Sequence, residues 1–139
     1  MYVPDLTPYA EYDRPNHRIF HVGWIEKNEP FETEEPPEGV IEMLKRQLPF
    51  RVLRTRGWFK CRMCRRGEYL QLDEYKQTLG GAEIWIENGQ VTYACPDMII
   101  HYIEDHHYKP PAAFYTALKI VDRKGRRPKV PKKNSDLTS

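Results

Sequence analysis

The run AEIWIE-NG-QVTYA, residues 82–94, constrains this chain more than any other stretch. Two segments rich in β-branched and aromatic residues flank Asn88-Gly89. That pair is favoured where both central residues of a type I′ turn need positive φ, so the spacing predicts a β-hairpin. The next residues, CPDMIIHYIEDHHY (95–108), change period: Met98, Ile99, Tyr102, Ile103 and His106 recur at helical spacing. Pro96 suits the first helical position, and Asp97 suits the positive end of the helix dipole. A hairpin running directly into a helix is predicted, and that helix carries two imidazoles, His101 and His106.

Upstream, FKCRMCRRG (59–67) places Cys61 and Cys64 two residues apart. A thiolate pair at this spacing bites one Zn(II) from a tight turn, and structural zinc takes four ligands in a tetrahedron. His101 and His106 complete the pattern C-x2-C-x36-H-x4-H. The central gap is longer than in compact fingers, but it holds the hairpin, giving a ββα order with a long first loop. Cys95 is an alternative to one of the histidines, although a cysteine before Pro96 at a strand end is also a natural buried small residue. One angular difficulty stands out. On an ideal helix, positions 101 and 106 lie about 140° apart, so both reach one metal only if the helix end loosens or tightens. His107 is placed worse still. Two other readings of the cysteine pair remain open: a redox couple and two unrelated thiols. A redox pair normally opens a helix with an apolar or small interior, whereas here Arg62-Met63 lies inside and Arg65-Arg66 follows.

From Cys61 to Pro111 the chain resembles a family of small uncharacterised bacterial proteins. The shared features are the Cys61/Cys64 pair, a loop ending in GAEIWI, a short hairpin, and the helix segment YACPDMIIHYIEDHHYKPP. The opening DLTPYAEY and the stretch HVGWIEKNEPF extend the resemblance to about residues 5–118. It implies a zinc-finger-like module with Cys61, Cys64, His101 and His106 as ligands, and it implies no activity. Two positions depart from the pattern. Cys95 stands where a small or aromatic non-ligand is expected, and His107 stands where glycine is expected.

The rest of the chain predicts a small α+β domain: a mostly antiparallel sheet with two or three short helices. Residues 1–17 are rich in proline and tyrosine and read as an extended arm lying on the body through Tyr2, Leu6, Tyr9 and Tyr12. RIFHVGWI (18–25) reads as a strand, and 26–39 as an acidic, proline-interrupted loop with an exposed Phe31. PEGVIEMLKRQL predicts an amphipathic helix with Pro37 at its first position and Val40, Ile41, Leu44 and Leu48 as its stripe, ended by Pro49. FRVLRTRGWF (50–59) reads as a second strand, residues 65–80 as a polar loop, and PPAAFYTALKIV (110–121) as a last helix. Residues 1–121 form the expected globular domain, with 58–108 as its zinc-finger-like module and 122–139 as a disordered basic tail.

Function is constrained mainly by exclusion. The sequence contains no nucleotide-binding glycine loop, no nucleophile elbow and no H-E-x-x-H. In EDHH (104–107) the carboxylates of Glu104 and Asp105 point to different helix faces from the imidazoles, so a shared site is not expected; Glu83, Glu87 and Glu104 read as solvent-facing. A four-ligand zinc also leaves no open position for water, which argues against a zinc hydrolase. No apolar run approaches the roughly 20 residues that span a bilayer, and three cysteines do not suggest a disulfide framework, so a cytoplasmic setting is expected. Charge is uneven. Residues 119–139 carry eight Lys or Arg and two Asp, against 14 basic and 18 acidic residues in 1–118. Between Arg51 and Arg66 lie seven basic residues and no acidic one, with Trp58 and Phe59 interleaved. Arg54, Arg56, Trp58, Lys60, Arg62, Arg65 and Arg66 are the candidate partner surface. The favoured role is a non-enzymatic binding protein built on structural zinc, with a protein partner as adaptor, inhibitor or immunity-like factor. Nucleic-acid binding through 51–66 and the tail is the second reading. No membrane and no small-molecule substrate is expected.

Overall fold

The structure, a computed structural model, describes residues 2–12, 18–54, 61–64, 71–72 and 77–133. Strand β1 (Arg18–His21), helix α1 (Val40–Gln47), strands β2 (Gln71–Leu72), β3 (Gln77–Thr78), β4 (Glu83–Glu87) and β5 (Val91–Pro96), and helices α2 (Ile99–His106) and α3 (Ala112–Lys124) follow in chain order. The α+β class holds. The main sheet runs β1-β5-β4 and is mixed: β4 and β5 form the antiparallel hairpin, while β1 lies parallel to β5 with Ile19 opposite Thr92. Within the stretch read as a polar loop, β2 and β3 pair as a second, two-stranded ladder.

Each face of the main sheet is covered differently. Ile84 and Ile86 of β4, with Tyr93 and Cys95 of β5, join Leu44, Ile99, Ile103, Phe114 and Leu118 in one core beneath the three helices. On the opposite face Trp85, Ala94 and Ile19 pack with Tyr12 and Tyr9 of the N-terminal arm. Burial on both faces explains why β4 reads as a continuous apolar run. The arm behaves as a ragged extra strand. Leu6 N–H donates to the His21 carbonyl at 2.7 Å, His21 N–H to Thr7 at 2.8 Å, and Tyr9 N–H to Ile19 at 2.8 Å. Tyr9 and Tyr12 anchor it as expected, but Tyr2 and Leu6 are exposed. Asp5 attaches it further: its carboxylate accepts Gly23 N–H at 3.0 Å and Tyr108 O–H at 2.6 Å. Gly23 itself has φ +83°, and a β-carbon there would lie 2.9 Å from Ile99, so glycine both ends the β1 path and lets α2 approach.

Four further sequence expectations are corrected. Residues 50–54 are not a strand: Leu48–Phe50 tighten into a 3-10 turn carrying Pro49, and Val52 makes a single bridge to Glu83. The remainder of that segment, 55–60, lies outside the described residues. The hairpin turn has positive φ at Gly89 but not at Asn88; Asn88 instead accepts the amides of Gln90 (2.8 Å) and Val91 (2.9 Å) on its side chain, so it is not type I′. Helix α2 starts at Ile99, because Pro96 is still paired to Glu83 and the Asp97 carboxylate accepts Gly80 N–H at 2.7 Å. Finally, α3 runs to Lys124, past the expected boundary at 121, and closes on Gly125 in the left-handed region. Beyond it Arg127 lies over the Phe50 ring and Lys133 pairs with Glu11 at 3.5 Å.

Candidate metal centre

The turn 61–64 brings Cys61 and Cys64 against the C-terminal half of α2. Cys61 is buried and Cys64 half-buried, and Met63 between them packs on the core. His101 is buried on the inner face of α2, and His106 is its last residue. The Nε2 atoms of the two histidines stand 3.1 Å apart. Cys64 Sγ is 3.1 Å from His101 Nε2 and 3.5 Å from His106 Nε2, and Cys61 Sγ is 3.5 Å from His106 Nε2. All four ligand atoms lie within 4.8 Å of one another. Around a tetrahedral zinc with ordinary bond lengths, N···N, S···N and S···S separations come to about 3.3, 3.6 and 3.8 Å. The two thiols and two imidazoles are the donor types such an ion takes, and the separations of 3.1 to 3.5 Å given above come within about 0.5 Å of these values.

The angular difficulty is resolved at the helix end. His107 N–H and Tyr108 N–H (3.0 Å) both donate to the Tyr102 carbonyl, five and six residues back. This closure is wider than a regular turn and follows directly on His106, the last helical residue. It needs a left-handed residue, and His107 adopts φ +55°. The glycine expected here belongs to that conformation. Replacing His107→Gly removes a left-handed penalty of about 1–2 kcal/mol and adds about 0.5–1 kcal/mol of unfolded-chain entropy. Urea unfolding of the metal-loaded variant is expected to show a net gain on the order of 0.5–1 kcal/mol; a loss of stability would contradict this account of the cap.

Burial lowers the His101 pKa, and the nearby His106 acts in the same direction, while Asp105 opposes them; the imidazole is thus biased toward the neutral form a metal requires. Nδ1 of His101 lies 2.6 Å from the Asp105 carboxylate, one turn on. The sequence reading set Asp105 on a different face and missed this contact, although i,i+4 spacing from a candidate ligand was the available signal. Cys95 lies elsewhere. It is fully buried among the sheet and helix residues, burial pushes its thiol well up, and it is not part of the four-residue group.

The basic residues divide. Arg51 is buried against Asp97 at 2.9 Å, and Arg62 reaches Glu26 at 3.7 Å from an exposed position. Arg54 is exposed. Arg56, Trp58, Lys60, Arg65 and Arg66 lie outside the described residues. Glu83, expected at the surface, is half-buried: it accepts Trp85 Nε1 at 2.9 Å and Tyr9 O–H at 3.1 Å, and burial raises its pKa against those two hydrogen bonds. Among the described residues no helix is long and apolar enough to cross a membrane.

The family model described as Domain of unknown function (DUF7919) matches residues 1–119. The chain belongs to this family. The match takes in the arm, both cysteines, the hairpin and the helix that ends at His106. It stops within α3, so the basic segment after Lys119 lies outside the DUF7919 match. No curated protein and no solved structure matches the chain.

Proposed function

We propose that this DUF7919 domain is a non-enzymatic binding module held by one structural zinc ion, with a protein as its partner and the cytoplasm as its setting. The observation that carries the reading is the gathering of Cys61, Cys64, His101 and His106, whose ligand atoms lie within 4.8 Å of one another. Four protein ligands leave no position for a reactive water, which separates the arrangement from zinc hydrolases. Zinc would fasten the 61–64 turn to α2. It would also fix the chain just beyond α2, where Glu34 N–H donates to His107, Lys109 N–H to Glu32, and Tyr108 O–H to Asp5. One ion therefore steadies the acidic loop and the arm together. At the start of α2, a mainly apolar cleft of about 250 Å³ lined by Trp24, Leu53, Met98 and Tyr102 suits a partner's apolar side chain.

In favour of a protein partner over nucleic acid, two described members of the basic run, Arg51 and Arg62, already face carboxylates. Two measurements test the proposal. Elemental analysis of the purified protein is expected to find one zinc per chain; finding none removes the structural-zinc reading. Mixed oligonucleotides at 50 and 200 mM salt are expected to bind weakly or not at all. A tight complex that loses about 10³-fold or more over that range would make nucleic acid the partner instead.

A further inference from the structure

We infer that Asp105 is a positioning residue for the metal, holding the His101 imidazole so that its Nε2 lone pair faces the cysteines; this rests on the zinc reading above. His101 is buried, with 5% of its side chain exposed, while the Asp105 side chain is 56% exposed. A carboxylate free to face water instead grips the outer nitrogen of a buried ring at 2.6 Å. With the Nδ1 proton donated to Asp105, Nε2 carries the lone pair. That lone pair points to within 3.1 Å of both Cys64 Sγ and His106 Nε2. A divalent cation placed among these atoms would meet both nitrogens and both sulfurs at once. The carboxylate also makes the imidazole a stronger donor to that cation.

Asp105 is not itself a ligand. Its place at i+4 from His101 and i−1 from His106 sets it on the solvent side of the pair. The carboxylate acts on His101, in the middle of α2, and has no contact with His106, which ends the helix.

The test is a competition titration of the full chain with zinc against a chromophoric chelator. Asp105→Ala is expected to weaken zinc affinity 10–100-fold, the range found when such supporting carboxylates are lost. Asp105→Asn, whose amide oxygen still accepts from Nδ1 without the charge, is expected to fall between. Cobalt(II)-loaded Asp105→Ala should keep the absorption of a tetrahedral sulfur–nitrogen site, because all four ligands remain. Metal-free Asp105→Ala should melt where the metal-free wild type does. Unchanged zinc affinity in Asp105→Ala overturns the inference and leaves the zinc reading intact. So does an affinity loss matched by an equal loss of metal-free stability, since Asp105 would then be an ordinary helix contact. A wild-type chain that does not bind zinc overturns the zinc reading, and the role of Asp105 falls with it.

Discussion

Removing zinc from the loaded protein with a chelator at neutral pH is expected to lower its melting temperature by roughly 10–15 °C. A ligand that binds only the folded state adds about 4 kcal/mol at a thousandfold excess over its dissociation constant. For a domain of this size, each kcal/mol moves the midpoint by about 3–4 °C. Complete unfolding, the fate of compact zinc fingers without metal, is not expected. Cys61 shares the main core, but Leu44, Leu48, Phe114 and Leu118, contributed by α1, the turn after it and α3, are buried there and are not ligands, so most of that core is held by apolar packing. The loosened parts should be the 61–64 turn, the last turn of α2 and the strands of chain it anchors at 32–34 and 107–109. Hydrogen exchange would locate them. The doubly substituted Cys61→Ser, Cys64→Ser protein should melt at the chelated wild-type temperature and ignore the chelator. If wild type keeps its melting temperature after chelation, the ion does not hold this fold.

The parts of the fold with a strong local period were legible in the sequence. The hairpin, the stripe Val40-Ile41-Leu44-Leu48 and the pair of imidazoles on one helix depend on residues close together in the chain, and the structure keeps all of them. What escaped depends on distant partners. Nothing local in RIFH selects a parallel place beside β5, some 70 residues on. Asp97 carries a sound helix-start signal, yet Gly80 and Arg51 take its carboxylate and the helix begins two residues later. Phe50 has strand propensity, but the 3-10 turn that follows α1 uses its backbone first. At the metal site, four ligand candidates were readable because metal ligands come in few types and spacings. The devices that orient them were not equally visible. His107 showed itself as a poorly placed ligand candidate and as a departure from an expected glycine, and Asp105 was read by its helix face rather than by its distance from His101.

Replacing Arg51→Met is expected to destabilise the fold by about 3–5 kcal/mol at pH 7, because it leaves Asp97 as a buried charge without its cation. Both side chains are almost wholly inaccessible, and Arg51 makes two links: Nη1 donates to Asp97 at 2.9 Å and Nε to the Leu48 carbonyl at 3.1 Å, tying the end of α1 to the residues just before α2. Methionine keeps the packing of the stem and removes the charge. The Asp97 carboxyl already sits above its usual range in the native protein, since burial outweighs the hydrogen bonds from Gly80, Arg51 and Gly81. A carboxyl raised in the folded state binds its proton more tightly there than in the unfolded chain. Its contribution to stability is therefore fully present below the ordinary carboxylate pKa and is lost as pH rises through the raised value. Without Arg51 that value rises further and the loss extends to higher pH. The stability gap between wild type and Arg51→Met should then be widest near pH 7–8 and narrow as pH falls toward about 4, where a neutral Asp97 needs no cation. Taking the difference between the two proteins cancels any pH effect on metal binding that they share. The double variant Arg51→Met, Asp97→Asn keeps an acceptor for Gly80 and carries no buried charge, so it should be more stable than Arg51→Met alone at neutral pH. Denaturant unfolding of the three proteins across pH decides the matter. A gap that does not narrow with acid, together with a double variant no better than the single one, would mean that Arg51 acts through packing and the Leu48 carbonyl rather than through the charge of Asp97.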